Sequence, residues 1–301
     1  MIKDMQGKRV LVVGLGRSGV AAAGFLAKRG ASVVAMDSKP ASDLSPAIDA
    51  LSNLSIEFSL GGHDACAFDR AELVVASPGV PNDLPGILSA AARGVPVIGE
   101  MELAISEIDR PIVAVTGTNG KTTTTALVGH LLRESGIRAC VAGNIGTPLL
   151  DLLPEAMSAD QVVLEVSSFQ IETTPSLKPN IGILLNATPD HLDRHGSFDS
   201  YVECKARMIL NVPADGFGIY NAADERVAPA VSNARSTLVQ FDATGKLPGR
   251  PEGRPGAWYE DGDLMVRVGS GDANRYGLSN VKLEGIHNRE NMLAALAAAE
   301  L

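Results

Sequence analysis

The run Thr116-Gly117-Thr118-Asn119-Gly120-Lys121-Thr122-Thr123 constrains this chain more than any other stretch. An apolar run, Ile112 to Val115, leads into it, and a helical pattern, Thr123 to Arg133, leads out. Strand, glycine turn, Lys-Thr pair and helix is the arrangement that grips a polyphosphate. The turn exposes backbone N–H groups, and the helix adds the positive end of its dipole. In such a setting Lys121 reaches the β- and γ-phosphates and the Thr122 hydroxyl ligates Mg²⁺, as ATP chemistry requires. The full pattern asks for a glycine about five positions before Gly120, where this chain has Val115. A glycine-rich strand–helix turn with no nucleotide is the alternative reading.

A second glycine run opens the chain. Arg9 to Val13 is a short β-branched run expected as a buried parallel strand. Gly14-Leu15-Gly16-Arg17-Ser18-Gly19 follows, then a helical stretch from Val20 to Lys28, then a second strand, Ser32 to Met36, ending at Asp37. Gly-x-Gly-x-x-Gly with an acid about twenty residues on is the βαβ dinucleotide fingerprint of a Rossmann-like domain. Taken alone, Gly14, Gly16, Gly19 and Asp37 favour NAD. A UDP-sugar also carries a pyrophosphate and a ribose, and no nicotinamide-side catalytic constellation is visible, which favours UDP.

Further strand-then-loop pieces follow at Leu73 to Ala76, leading into Ser77-Pro78-Gly79, and at Val95 to Ile98. Apolar periodicity lapses from Ser106 to Pro111, which reads as a linker. The expected fold class is therefore α/β, with a Rossmann-like domain over residues 1–108. A P-loop α/β domain with a parallel sheet follows over 109–301. In the second domain Ala139 to Ala142, Gln161 to Val166 and Ile181 to Leu185 read as strands, and Phe198 to Leu210 as a helix carrying Lys205. Gly249 to Gly256 reads as loop, and Ala257 to Val268 as a small antiparallel hairpin about Asp261-Gly262. From Asn288 to Leu301 strong helix formers run to the last residue with no stop signal, so the chain is expected to be a fragment cut within or just after a helix.

A net charge of −9 over 301 residues argues against a nucleic-acid partner and assigns any phosphate to local loops and single cations. Three scattered cysteines, Cys66, Cys140 and Cys204, fit free thiols in a reducing, cytoplasmic setting. No apolar leader and no membrane-length apolar run occur, so no membrane partner is expected.

Ligands of parallel α/β sheets collect at the carboxyl ends of the strands. In the second domain those ends carry Thr116 to Thr122, Asn144, Glu165 and His191, which together look like a nucleotide site with two divalent cations. Imidazole is an uncommon Mg²⁺ ligand, so His191 is the odd member. Read singly, Glu165 is also a solvated strand-end acid, His191 a loop histidine satisfied by Asp190 or Asp193, and Lys205 a solvated helix lysine. Asn288 and Asn291 share a helix face and read singly as surface amides or caps.

The motifs in order carry a resemblance. Thr116 to Thr123, Gly143-Asn144-Ile145-Gly146, Glu165-Val166-Ser167-Ser168-Phe169-Gln170, Asp190-His191-Leu192-Asp193-Arg194-His195 and Gly285-Ile286-His287-Asn288-Arg289-Glu290-Asn291 resemble the Mur ligases, which also lack the first loop glycine. Their spacing, the Ser-Ser-Phe-Gln run and the N-terminal glycine fingerprint are most similar to the member that adds D-glutamate to UDP-N-acetylmuramoyl-L-alanine. The resemblance covers essentially the whole chain.

It implies an ATP-dependent amide-bond ligase of cytoplasmic peptidoglycan precursor synthesis, acting through an acyl phosphate and working as a monomer. Gly117, Thr118, Asn119, Gly120, Lys121, Thr122 and Thr123 would bind ATP phosphates, with Asn288 and Asn291 on the adenine side. Thr122 and Glu165 would ligate one Mg²⁺. His191 and Lys205, the latter as a carbamate, would ligate a second, and Lys121, Lys205, His191 and Glu165 are the implied catalytic set. Gly16, Arg17, Ser18, Asp37, Ser38, Lys39, Ser77, Pro78 and Gly79 would hold UDP, and Asn144 and Ser167 the muramoyl part. A third, C-terminal domain would bind D-glutamate. A chain ending before it is expected to bind UDP-linked substrate, and ATP weakly, without turnover. The alternatives are a folylpolyglutamate-type ligase and an NAD-sensing regulatory module.

Overall fold

The computed structural model describes residues 4–245, 254–269 and 271–301. It divides into two compact units: Met1–Asp109 with Gly146–Pro154 and Glu172–Ser176, and Arg110–Ile145 with Glu155–Ile171 and Leu177–Leu301.

The first unit alternates strand and helix: β1 (Arg9–Val13), α1 (Arg17–Lys28), β2 (Ser32–Asp37), α2 (Ser45–Leu51), β3 (Ile56–Leu60), α3 (Ala65–Arg70), β4 (Leu73–Ala76), α4 (Pro85–Ala92), β5 (Val97–Ile98) and α5 (Glu100–Ile105). Its strands form one parallel sheet in the order β3-β2-β1-β4-β5. The order reverses between β1 and β4, which places a crevice outside their carboxyl ends. Strands β1 and β4 are almost wholly buried, and Leu11, Val13, Met36 and Val74 pack on Phe68 and Ile87. The strand expected from Val95 begins only at Val97, because Pro96 has no N–H for the ladder. Strand β3 went unread: its Ile-Glu-Phe-Ser-Leu alternation lies at a half-buried edge.

A linear cut after residue 108 would leave 146–154 and 172–176 with the second unit. They count with the first because α5 captures them. Glu100 and Glu102 are buried, and their carboxylates accept the N–H groups of Leu150 (2.7 Å) and Ser176 (3.1 Å), while Gly99 donates to the Thr173 carbonyl at 2.8 Å.

The second unit runs β6 (Ile112–Thr116), α6 (Lys121–Glu134), β7 (Ala139–Gly143), α7 (Leu153–Ser158), β8 (Gln161–Glu165), α8 (Ser168–Glu172), β9 (Ile181–Leu184), α9 (Leu192–His195) and α10 (Phe198–Leu210). It continues through β10 (Phe217–Asn221), α11 (Val227–Val231), β11 (Thr237–Asp242), β12 (Gly256–Glu260), β13 (Asp263–Arg267), β14 (Asn274–Gly277) and α12 (Ile286–Ala299). The sheet order is β14-β13-β12-β11-β10-β9-β6-β8-β7. It is parallel from β7 to β12 and antiparallel through β13 and β14, so the expected hairpin, β12–β13, is part of the main sheet, with β14 beyond it at the edge. Strand β6 is buried on both faces, and α12 packs on α6 and the sheet through Leu293, Ala294 and Ala297. Most of the loop expected at 249–256 lies outside the described residues.

Candidate active site

In the second unit the phosphate loop leaves β6 at Thr116, and α6 starts at Lys121, two residues earlier than the helical pattern suggests. Gly120 caps the helix at φ 83°, a left-handed conformation that favours glycine. A Cβ at that position would lie 2.2 Å from Asn291 Oδ1. The N–H groups of Gly120, Lys121, Thr122 and Thr123 are the orphan donors of the helix start. Lys121 folds back so that Nζ donates to the carbonyls of Gly117 (3.0 Å) and Thr118 (2.8 Å). Burial lowers its pKa, against the opposing pull of Glu165 and Asp190.

Glu165, the last residue of β8, is 2% exposed. Its Oε2 accepts from the Thr122 hydroxyl at 2.8 Å and its Oε1 from the Asn144 amide at 2.9 Å. A buried carboxylate whose direct hydrogen-bond donors are both neutral is costly, and the Lys121 charge that acts on it is bonded to backbone carbonyls instead. The arrangement suits a hard cation, because a hydroxyl and a carboxylate are the oxygen donors Mg²⁺ takes. Lys205, on α10, is 1% exposed and donates to the same Gly117 carbonyl at 2.8 Å. Its ammonium nitrogen lies 4.5 Å from the Tyr201 ring centroid. Burial, then the neighbouring Lys121 charge, pushes its pKa down to about 7. Two lysines thus converge on one carbonyl, and Lys205 is the one that gives up its proton near neutrality.

His191 adopts a left-handed backbone at φ 50°, is exposed, and sets Nε2 3.5 Å from Asp190 Oδ2. Its ring centroid lies 4.9 Å from that of Phe169. Asp190 is also close enough to raise the pKa of both lysines, which puts the His191 segment at the same strand ends. Ser167 is bonded to the Gln170 side chain at 3.0 Å.

The two asparagines of α12 part company. Asn291 is 6% exposed and accepts from Thr124 Oγ1 at 3.2 Å, beneath the loop. Asn288 is half-buried and donates to the Glu284 carbonyl at 2.7 Å. One residue that pattern reading left without a role is Asn186, whose side chain binds the loop residues Thr118 and Asn119. A polar residue just past a strand end was the available signal.

In the first unit the nine residues read as UDP-binding, Gly16 to Ser18, Asp37 to Lys39 and Ser77 to Gly79, line one cavity of about 470 Å³ with Gly14 and His63. The α1 start presses on the strand: a Cβ at Gly19 would lie 1.8 Å from the Gly14 carbonyl. The Asp37 carboxylate accepts from the N–H of Leu15 (2.7 Å) and of Lys39 (3.0 Å), so it ties the glycine turn to the end of β2. Ser77 Oγ donates to the Gly14 carbonyl at 2.7 Å. Arg17 and Lys39 also line an adjoining cavity of about 540 Å³ walled by Leu44, Pro46 and Pro148. Asn144 and Ser167 belong to the second unit. Among the described residues no helix is long and apolar enough to cross a membrane.

Comparison with known proteins bears on both units. Residues 115–299 match the Mur ligase middle domain, and residues 8–99 match the Mur ligase MurD-like N-terminal domain. The UDP-N-acetylmuramoylalanine–D-glutamate ligase of Acidobacterium capsulatum is 43% identical over 300 residues, covering 99% of this chain and 64% of that protein. The ligase of the same name from Pelotomaculum thermopropionicum is 41% identical, covering 100% of this chain and 65% of that protein. This chain therefore spans about 64% of the length of such curated relatives. Among solved structures, the UDP-N-acetylmuramate:L-alanyl-gamma-D-glutamyl-meso-diaminopimelate ligase of Neisseria meningitides aligns at a TM-score of 0.60 with 21% identity, covering 98% of this chain and 93% of that one. A murein peptide ligase of Psychrobacter arcticus aligns at 0.56 with 18% identity, covering 98% and 65%. These two likenesses concern the fold.

Proposed function

The chain belongs to the Mur ligase family, and from that premise we propose that it carries the UDP-substrate and ATP sites of a ligase joining D-glutamate to UDP-N-acetylmuramoyl-L-alanine in cytoplasmic peptidoglycan precursor synthesis. The observation that carries the reading is Glu165, buried at a strand end and hydrogen-bonded to Thr122 of the phosphate loop and to Asn144. The names of the curated relatives supply the substrate.

The proposed reaction has two steps. The alanyl carboxylate attacks the γ-phosphorus of ATP and ADP leaves, giving an acyl phosphate. The D-glutamate amine then attacks that carbonyl, loses a proton and expels phosphate, leaving an amide. Carboxylate and triphosphate repel one another, so approach needs positive charge between them. Lys121 and the free N–H groups from Gly120 to Thr123 provide part of it. Thr122 and Glu165 would hold one Mg²⁺, which when bound adds charge neutralisation and orients the transferring phosphoryl group. His191 would face the substrate carboxylate with Asp190 beside it. Lys205, neutral in good part near pH 7, is suited to take up CO₂ with loss of a proton, and the carbamate would be an oxygen ligand where the ammonium could only repel a metal. Asn291 would support the loop from below through Thr124 and Gly120, and Asn288 would lie nearer the adenine. Asn144 and Ser167 would meet the muramoyl part.

In the first unit the cavity at the β1/β4 switch point would take the UDP pyrophosphate over the α1 start, with Arg17 and Lys39 as the cations. Calorimetry with UDP-N-acetylmuramoyl-L-alanine, NADH and Mg·ATP tests the reading. Saturable binding of the UDP compound and of Mg·ATP, without NADH binding, is expected. NADH binding with no response to the UDP compound would overturn it in favour of an NAD-sensing module.

A further inference from the structure

Asn186 stands one residue beyond Leu185, past the end of β9, and its side chain is turned wholly onto the phosphate loop. Its Oδ1 accepts from the N–H of Thr118 (3.1 Å) and of Asn119 (2.9 Å), while its Nδ2 donates to the Asn119 carbonyl at 3.1 Å. Its own carbonyl takes a second bond from Thr118 N–H at 3.1 Å. Two consecutive N–H groups converging on one oxygen is the way a loop holds an anion; here a neutral carboxamide of this chain occupies that position.

The rest of the segment keeps Asn186 in place. Leu185 N–H donates to the Thr116 carbonyl at 3.0 Å, and Ala187 N–H donates to Asp224 Oδ2 at 2.9 Å. Thr188 N–H donates to Thr118 Oγ1 at 3.0 Å, and that hydroxyl returns a bond to the Thr188 carbonyl at 3.2 Å. With its proton so used, Thr118 Oγ1 accepts from the Tyr201 hydroxyl at 3.2 Å. The loop and the segment leading to His191 are therefore fastened together before any nucleotide arrives.

We propose that Asn186 is a positioning residue for polyphosphate binding, which pins the leading half of the loop through Thr118 and Asn119 and reserves the N–H groups from Gly120 to Thr123 for the phosphates. This rests on the ATP reading of the loop. A carboxamide suits the task on charge as well as shape. A carboxylate would accept from the same two N–H groups but would place a negative charge against the incoming phosphates and could not donate to Asn119. An alanine would leave the Asn119 N–H and carbonyl without the side-chain partner and the Thr118 N–H with only the backbone carbonyl of residue 186, and free the loop to take other conformations.

The test uses the 301-residue chain with ATP, ADP and AMP as Mg²⁺ complexes by calorimetry, for wild type, Asn186→Ala and Asn186→Asp. Asn186→Ala is expected to weaken ATP and ADP by about tenfold, the worth of roughly one lost hydrogen bond. Binding of UDP-N-acetylmuramoyl-L-alanine should stay within about twofold, an outcome that general unfolding would not give. Asn186→Asp should weaken binding progressively from AMP to ATP. It should also keep the Asn119 amide slow in hydrogen exchange without nucleotide, whereas Asn186→Ala makes it fast. ATP binding unchanged in Asn186→Ala, or equal losses for AMP and ATP in Asn186→Asp, overturns the proposal while leaving the site reading intact. Absence of Mg·ATP binding by the wild type overturns the site reading, and the proposal with it.

Discussion

Glu100 offers a sharp quantitative test, because the structure buries its carboxylate and its pKa responds strongly. The side chain is 4% exposed, and its carboxylate accepts the Leu150 N–H at 2.7 Å. Burial raises its pKa to about 7 from 4.5; the Leu150 bond opposes the rise and the nearby Asp151 charge adds to it. The folded state therefore holds more protons than the unfolded chain between pH 4.5 and about 7. Stability falls as pH rises through that window, and the full cost of the buried charge is present above it. At about 1.36 kcal/mol per decade, the cost is about 3 kcal/mol.

Glu100→Gln removes the charge and retains an oxygen for Leu150. After about 1 kcal/mol for the amide NH₂ seeking an acceptor, it should stabilise the first unit by about 2 kcal/mol at pH 8. At pH 4, where the wild-type carboxyl is protonated, only the amide cost of about 1 kcal/mol remains and the variant should be slightly less stable. Urea unfolding followed by far-ultraviolet circular dichroism at both pH values measures this. Trp258 lies in β12 and reports on the second unit only, so its fluorescence should not follow the gain. Because other groups titrate in the same range, the readout is the difference between variant and wild type. A Glu100→Gln protein no more stable than wild type at pH 8, or with the same pH slope, would refute the reasoning.

The remaining expectations concern the two sites. Gly19→Ala places a methyl 1.8 Å from the Gly14 carbonyl, so it should cost the first unit roughly 3 kcal/mol or more and abolish UDP-ligand binding. Mg·ATP titrations of the second unit should be unchanged. Glu165→Gln removes the negative charge held by Thr122 and Asn144; the Mg²⁺-dependence of ATP binding should fall by about tenfold or more, and the melting temperature should not drop. Lys205, with a pKa lowered to about 7, gains neutral amine as pH rises through that value. Intact-mass measurement in bicarbonate at pH 8 should find one added CO₂ on Lys205, lost at pH 5. An unmodified Lys205 at every bicarbonate concentration would argue for a plain buried lysine.

What could be read from the residues alone followed from their locality. Strands β1, β4, β6 and β8 are buried on both faces, so each is a short continuous apolar run ended by glycine, serine or an acid, and each was legible. Strands β10 and β11 were not: Phe-Gly-Ile-Tyr-Asn and Thr-Leu-Val-Gln-Phe-Asp mix polar and apolar residues, and buried and partly buried positions alternate along them. The excursions at 146–154 and 172–176 were invisible because what assigns them to the first unit is two buried carboxylates on α5. A glutamate in a helical pattern reads as solvent-facing until something shows what it caps.

The same distinction runs through the candidate site. Lys121, Thr122 and Glu165 are legible because their chemistry is dictated by motif position: a loop before a helix start, an acid at a strand end. Lys205 is not, since nothing in Glu203-Cys204-Lys205-Ala206 says that the lysine points inward at Gly117; only the family resemblance singled it out. Asn291 and Asn186 both sit one hydrogen bond from the loop, yet 167 residues separate Asn291 from Thr124 and 67 separate Asn186 from Asn119. A phosphate loop read from sequence gives the donors that face the ligand. The groups that hold it from behind arrive by way of the sheet order, where β9 lies beside β6. It is that adjacency, formed by two buried apolar strands, that delivers the Asn186 carboxamide to Thr118 and Asn119. Loosening the β6–β9 pairing, for instance with a β-bulge at Ile183, should therefore weaken polyphosphate binding even with every loop residue intact.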